Sequence, residues 1–108
     1  LVLNLGTVCD RKGQQIFVRA VDLLWRDRPD LARPARFDMV GARATLYDAW
    51  VRDVIAHSGH ANLRLQPESP APYRHHAAAD LFVCSSYEES FPRVVLEAMA
   101  FGVPILSS

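Results

Sequence analysis

Glu89 and Glu97 stand eight positions apart, with Pro92 between them at what reads as a helix start. Lys12 is the only lysine; the other eleven cationic residues are arginine. The free N–H groups and positive dipole end of a helix start can hold a phosphate. A carboxylate a turn and a half further in, as Glu97 is, can accept hydrogen bonds from the vicinal hydroxyls of a ribose. A carboxylate before the helix, as Glu89 is, faces the group on the distal phosphate. If that group is a sugar, Glu89 can bind its hydroxyls and stabilise positive charge growing at the anomeric carbon. Lys12 adds a point charge for phosphate from a Gly-flanked loop. On spacing alone a simpler reading competes. Glu89 could cap the helix or serve its dipole, Glu97 could pair with Arg93 at i,i+4, and Lys12 could be a solvated surface residue.

The elements that must position these residues follow from periodicity. Residues 1–6 form an apolar run ending in glycine, a buried strand by pattern, and residues 7–13 form a polar loop. Phe17, Ala20, Val21 and Leu24 recur at helical spacing over 14–26. Pro29 and Pro34 bracket a linking loop, and 35–41 reads as a strand around Phe37, Met39 and Val40. A second helix, 44–57, lines up Tyr47, Trp50, Val51, Val54 and Ile55 and stops at Gly59. Residues 62–66 alternate as a third strand. Pro67, Pro70 and Pro72 mark a turn, and 73–79 a short helix. Residues 81–84 are a continuous apolar strand, and 85–90 a polar loop. The fourth helix spans 92–101, with Pro92 in its first turn and Gly102 as its stop. Residues 103–106 make a fifth strand.

Alternating strands and helices imply parallel pairing with right-handed crossovers. The apolar runs 81–84 and 103–106 suit strands covered on both faces. The expected architecture is α/β: a Rossmann-like three-layer sandwich with a parallel sheet of about five strands, one domain over residues 1–108. Ligands of such sheets bind at the carboxyl ends of strands where the strand order reverses. The loops 7–13 and 85–92 meet there. With no sixth strand or closing helix expected, a sheet edge or apolar patch would be exposed, open to another domain or to self-association.

Composition narrows the partners. Formal net charge is zero, so nothing points to nucleic acid or to an anionic membrane surface. No apolar run approaches the ~20 residues of a membrane span. The chain opens at Leu1 inside a strand-like run, as a piece of a longer protein would. Cys9 and Cys84 make no disulfide framework, and a reducing cytoplasmic setting fits them best. A zinc site with His75 and His76 lacks paired Cys-x-x-Cys spacing, and two small buried cysteines is the preferred reading. His57 and His60 read as surface histidines at a helix end, and Ser85, Ser86 and Tyr87 as ordinary loop residues. No Gly-x-Gly-x-x-Gly follows the first strand, which argues against a dinucleotide-binding dehydrogenase.

In order and spacing the whole chain resembles the donor-binding half of retaining glycosyltransferases of the GT-B fold, the family 4 group. Residues 6–13 look like the family's first loop, a Gly-Arg pair followed by Lys-Gly. Residues 78–83 look like its entry to the fourth strand. Residues 89–97, with Ala98-Met99-Ala100 and Gly102-Val103-Pro104, look like its Glu-x7-Glu signature. The resemblance implies that Lys12 contacts the donor diphosphate, Glu97 the nucleotide ribose and Glu89 the transferred sugar. Backbone amides around Phe91, Arg93 and Val94 would cradle phosphate oxygens. It implies a UDP- or GDP-type nucleotide-sugar as donor, no metal or other cofactor, and an N-terminal acceptor domain in the same parent chain. The parent would be cytoplasmic or peripheral at the inner membrane, and these 108 residues alone would not transfer sugar. Two departures stand out. Thr7 occupies the place of the family's arginine, removing a phosphate-neutralising cation. Pro92 replaces a frequent glycine and has no N–H to donate, which shifts phosphate binding onto Arg93 and Val94. Two other readings carry weight: a nucleotide-sugar epimerase of the same fold, and a degenerate non-catalytic transferase module.

Overall fold

The computed structural model describes all residues, 1–108. Five strands alternate with helices: β1 (Val2–Leu5), α1 (Gln14–Asp27), α2 (Pro29–Ala32), β2 (Phe37–Ala42), α3 (Leu46–Ser58), β3 (Leu63–Pro67), α4 (Pro72–Ala78), β4 (Leu81–Cys84), α5 (Arg93–Ala100) and β5 (Ile105–Ser107). A 3-10 turn, Asp10–Lys12, precedes α1. All strand pairs are parallel, in the order β3-β2-β1-β4-β5. The chain builds outward from β1 to β3, then returns to the other side of β1 with β4. The order therefore reverses between β1 and β4, which pair directly through Val2–Leu81 and Leu3–Phe82.

Strand alternation splits the core into two layers. Phe37 and Met39 of β2 and Leu63 and Leu65 of β3 pack against Phe17, Val18 and Val21 of α1 and Val51 of α3. Leu3, Val40, Phe82 and Cys84 point to the opposite face, against Ala98 of α5 and Val103. Fully burying a side chain such as Phe82 contributes about 1.5–3 kcal/mol. Asp38 is the buried charge of the sheet. It accepts two hydrogen bonds from Arg64 at 3.0 Å and lies 3.3 Å from Arg36.

Several expectations change. The segment bracketed by Pro29 and Pro34 is not all loop: Pro29 starts the short helix α2, because a missing N–H is harmless in a first turn. The fifth strand begins at Ile105, not at residue 103. Val103 closes the end of α5 instead, its N–H donating to the Ala98 carbonyl, and Pro104 offers only its carbonyl, to Phe82 N–H. Nor is this strand covered on both faces. β5 is the sheet edge, and Leu106 is 60% exposed. Leu96, Met99 and Phe101 are exposed on and just after α5. No helix is long and apolar enough to cross a membrane.

Candidate functional site

The loops after β1 and β4 diverge above the strand reversal and are tied to each other there. Ser85 Oγ donates to the Lys12 carbonyl at 3.0 Å, and Tyr87 N–H donates to the Arg11 carbonyl at 3.0 Å. Beneath them Asn4, buried in β1, donates to the Val83 carbonyl at 2.9 Å and to Ser85 Oγ at 3.1 Å. Gly13 turns the first loop into α1 with φ of +67°, and a Cβ there would lie 2.0 Å from the Ser85 carbonyl oxygen. Only glycine permits both that conformation and that approach.

An open cleft of about 340 Å³ lies between these loops and the ends of β1 and β2. Thr7, Lys12, Glu89, Phe91, Arg93, Val94 and Glu97 all line it. The residues singled out from the sequence for donor binding are thus brought to one surface. Lys12 is not a solvated surface lysine: its side chain is 22% exposed and paired with Glu89, itself 20% exposed. Glu89 also accepts a hydrogen bond from Ser86 Oγ at 2.8 Å. The hydrogen bond from Lys12 is the main cause that holds the Glu89 carboxyl below the usual glutamate range, against the opposing effect of burial. Glu89 does not cap α5; the residue before that helix is Pro92, and no side chain caps it.

The start of α5 offers fewer donors than a regular helix. Arg93 N–H donates to the Phe91 carbonyl at 2.9 Å, whereas the amides of Phe91 and Val94 have no acceptor within the chain. Arg93 makes no ion pair, so the i,i+4 partnership with Glu97 does not form. Glu97 instead stands beside His76, Nε2 to Oε2 3.3 Å.

Sequence reasoning missed two residues of this cleft. Arg43 and Glu68, in the loops after β2 and β3, line its far side and form a two-pronged ion pair, Nη2–Oε1 2.6 Å and Nε–Oε2 3.0 Å. That pair lowers the Glu68 carboxyl and raises the Arg43 guanidinium from their ordinary values. The backbone bearing Arg43 is fixed by Asp48, whose Oδ2 accepts from Arg43 N–H at 2.6 Å and Thr45 N–H at 3.2 Å. The available signal was positional: both loops leave the carboxyl edge of the sheet. His76 is buried in α4 and does not line the cleft.

Other expectations separate from the site. Cys84 is buried but Cys9 only half-buried, and they are not bonded. No group of three or more His, Cys, Asp and Glu side chains is arranged to hold a metal ion. His60 is half-buried rather than free on the surface. It stacks on Trp25 at 5.3 Å, and its Nε2 lies 2.8 Å from Asp22.

Residues 1–108 match the family model described as glycosyl transferases group 1. The chain is 32% identical over 114 residues to a D-inositol 3-phosphate glycosyltransferase of Paenarthrobacter aurescens (strain TC1), covering 99% of this chain and 26% of that relative. It therefore spans about a quarter of the length of the curated relatives it matches. Among solved structures it is similar to Anabaena HepE in complex with UDP and glucose, with TM-score 0.79 and 25% identity over 98% of this chain and 28% of that one. The pneumococcal O-GlcNAc transferase GtfA in complex with UDP and GlcNAc has the same fold, with TM-score 0.83 and 19% identity over 98% of this chain and 20% of that one.

Proposed function

The chain belongs to the group 1 glycosyl transferases, and we propose that it supplies the donor-binding half of a retaining enzyme using a UDP- or GDP-type sugar. The observation that carries this reading is the convergence of Lys12, Glu89, Arg93 and Glu97 on one cleft above the strand reversal. Lys12, Arg93 and the free amides of Phe91 and Val94 are the groups available to a diphosphate. Glu97, further along α5, accepts from the ribose hydroxyls. Glu89, on the other side of the phosphate seat, contacts the transferred sugar.

The reaction breaks the bond between the anomeric carbon and the phosphate oxygen and forms one to an acceptor hydroxyl oxygen. The electron pair leaves with the nucleoside diphosphate, whose added charge falls on Lys12 and Arg93. The acceptor hydroxyl, attacking from the face the phosphate leaves, passes its proton to the departing phosphate oxygen. A carboxylate such as Glu89 stabilises the cationic sugar between these events. The acceptor would sit on a partner domain of the same parent chain, facing this cleft, and the isolated 108 residues would bind donor without transferring sugar.

Calorimetric titration of the full-length protein with UDP- and GDP-sugars tests this reading. One class should bind, Lys12→Ala should weaken it about tenfold, and Glu89→Ala should abolish transfer while nucleotide still binds. Failure of the wild type to bind either class, or full transfer activity in Glu89→Ala, would overturn it.

A further inference from the structure

His76 is 1% exposed, yet neither of its ring nitrogens has a hydrogen-bond partner. Its ring is held against Phe82, centroids 5.3 Å apart, and against Phe101, stacked at 6.0 Å and 15°. It cannot turn out to water without leaving that apolar slot. Burying an imidazole with no partner is unfavourable, and a phenyl or leucyl side chain would fill such a slot without that penalty. One charged group is within reach. Nε2 lies 3.3 Å from Glu97 Oε2, at an angle outside hydrogen-bond geometry.

The two partners differ in freedom. His76 is fixed by packing, whereas the Glu97 side chain is 46% exposed and no other residue holds it. A small turn of the carboxylate aligns one oxygen with an N–H on Nε2 and leaves the second oxygen toward the cleft that Glu97 lines. Placing the ring proton on Nδ1 instead would leave a buried N–H with no acceptor.

The geometry points to His76 as a positioning residue, which holds one oxygen of Glu97 from beneath α5 so that the other meets the ribose hydroxyls of the donor. This inference rests on the reading of Glu97 as the ribose acceptor. His76 touches neither donor nor reacting atoms, and acts only through Glu97.

The test uses the full-length protein and measures affinity for UDP and GDP, then for the 2′,3′-dideoxy form of whichever binds. Wild type should prefer the ribose form by about tenfold. His76→Phe should shrink that ratio to threefold or less with the dideoxy affinity unchanged, and His76→Gln should retain part of it. A full ratio in His76→Phe, or equal weakening of both forms, overturns the positioning role and leaves the ribose role of Glu97 standing. No preference in wild type overturns both. An independent readout needs no His76 variant. The imidazole Nε2–H resonance of His76 should be protected from exchange in wild type and should move and lose protection in Glu97→Ala, which removes the acceptor. An unmoved resonance also overturns the inference.

Discussion

Glu89→Gln removes one charge from the cleft and leaves the size of the side chain nearly unchanged. Glu89 accepts hydrogen bonds from Lys12 and from Ser86, so the one lysine of the chain is engaged by a carboxylate. A diphosphate approaching Lys12 must compete with Glu89 for it. With both side chains about one-fifth exposed, a pair with one charge-assisted hydrogen bond is worth about 1 kcal/mol. Glu89→Gln should therefore bind sugar-free UDP or GDP about fivefold more tightly than wild type, while losing activity with the intact donor. Calorimetry on the full-length protein reads the first change directly. Repeating it in a Lys12→Ala background closes a double-mutant cycle: without the lysine, Glu89→Gln should tighten nucleotide binding much less, by only the like-charge repulsion it removes. Unaltered affinity in the single variant, or equal tightening without Lys12, would refute the competition. The same pair has a pH signature. The Glu89 carboxyl is depressed in the folded protein, so its contribution to stability is present above the ordinary glutamate range and is lost as pH falls through the folded value. The gap in melting temperature between wild type and Glu89→Gln should stay constant from neutrality down to the ordinary glutamate range and close only as pH falls below that range.

Two further outcomes follow from the same geometry. Thr7→Arg places a guanidinium on the cleft wall beside Gly6, and nucleoside diphosphate affinity should rise about threefold to tenfold by calorimetry; no gain would mean that this wall does not face the phosphates. Gly41→Ala should strongly destabilise the protein. Gly41 has φ of +139°, and a Cβ there would lie 1.9 Å from the Gly6 carbonyl oxygen. The expected loss is about 3 kcal/mol or more in chemical denaturation, and a loss below 1 kcal/mol would show that the β1–β2 contact can open.

The strands and helices were legible because burial imposes periodicity, and the parallel sheet because strands and helices alternate. The boundaries that moved did so where one residue serves two elements. Val103 continues the apolar run of β5 but satisfies the end of α5, and Pro104 cannot donate to the ladder. The signature residues of the cleft could be read because their spacing along the chain is set by one loop and one helix. Arg43 and Glu68 could not, since they meet across two loops 25 positions apart. His76 was visible as a residue but not as a role. Its neighbours Phe82, Glu97 and Phe101 come from β4, from α5 and from the turn after it, and nothing local announces that convergence.

On the proposed donor-binding reading, the charges of the cleft offset two departures from the family pattern. Three cations line it, and two are engaged: Lys12 by Glu89 and Arg43 by Glu68. Arg93 alone has no ion-pair partner, and it stands next to Val94, whose amide is free. Both lie at the start of α5, where the helix dipole favours an anion. Thr7 supplies no charge, and Pro92 supplies no N–H. On the donor-binding reading the phosphate grip would be concentrated at this helix start, on Arg93 and the amides of Phe91 and Val94, and Lys12 would join it only when Glu89 gives it up. A sugar on the distal phosphate would draw Glu89 to its hydroxyls and so release Lys12 to the phosphates. In that arrangement an intact donor would make a stronger site than a bare nucleotide does, and discrimination between donor and product would arise from the same lysine–glutamate exchange that the charge-removal experiment isolates.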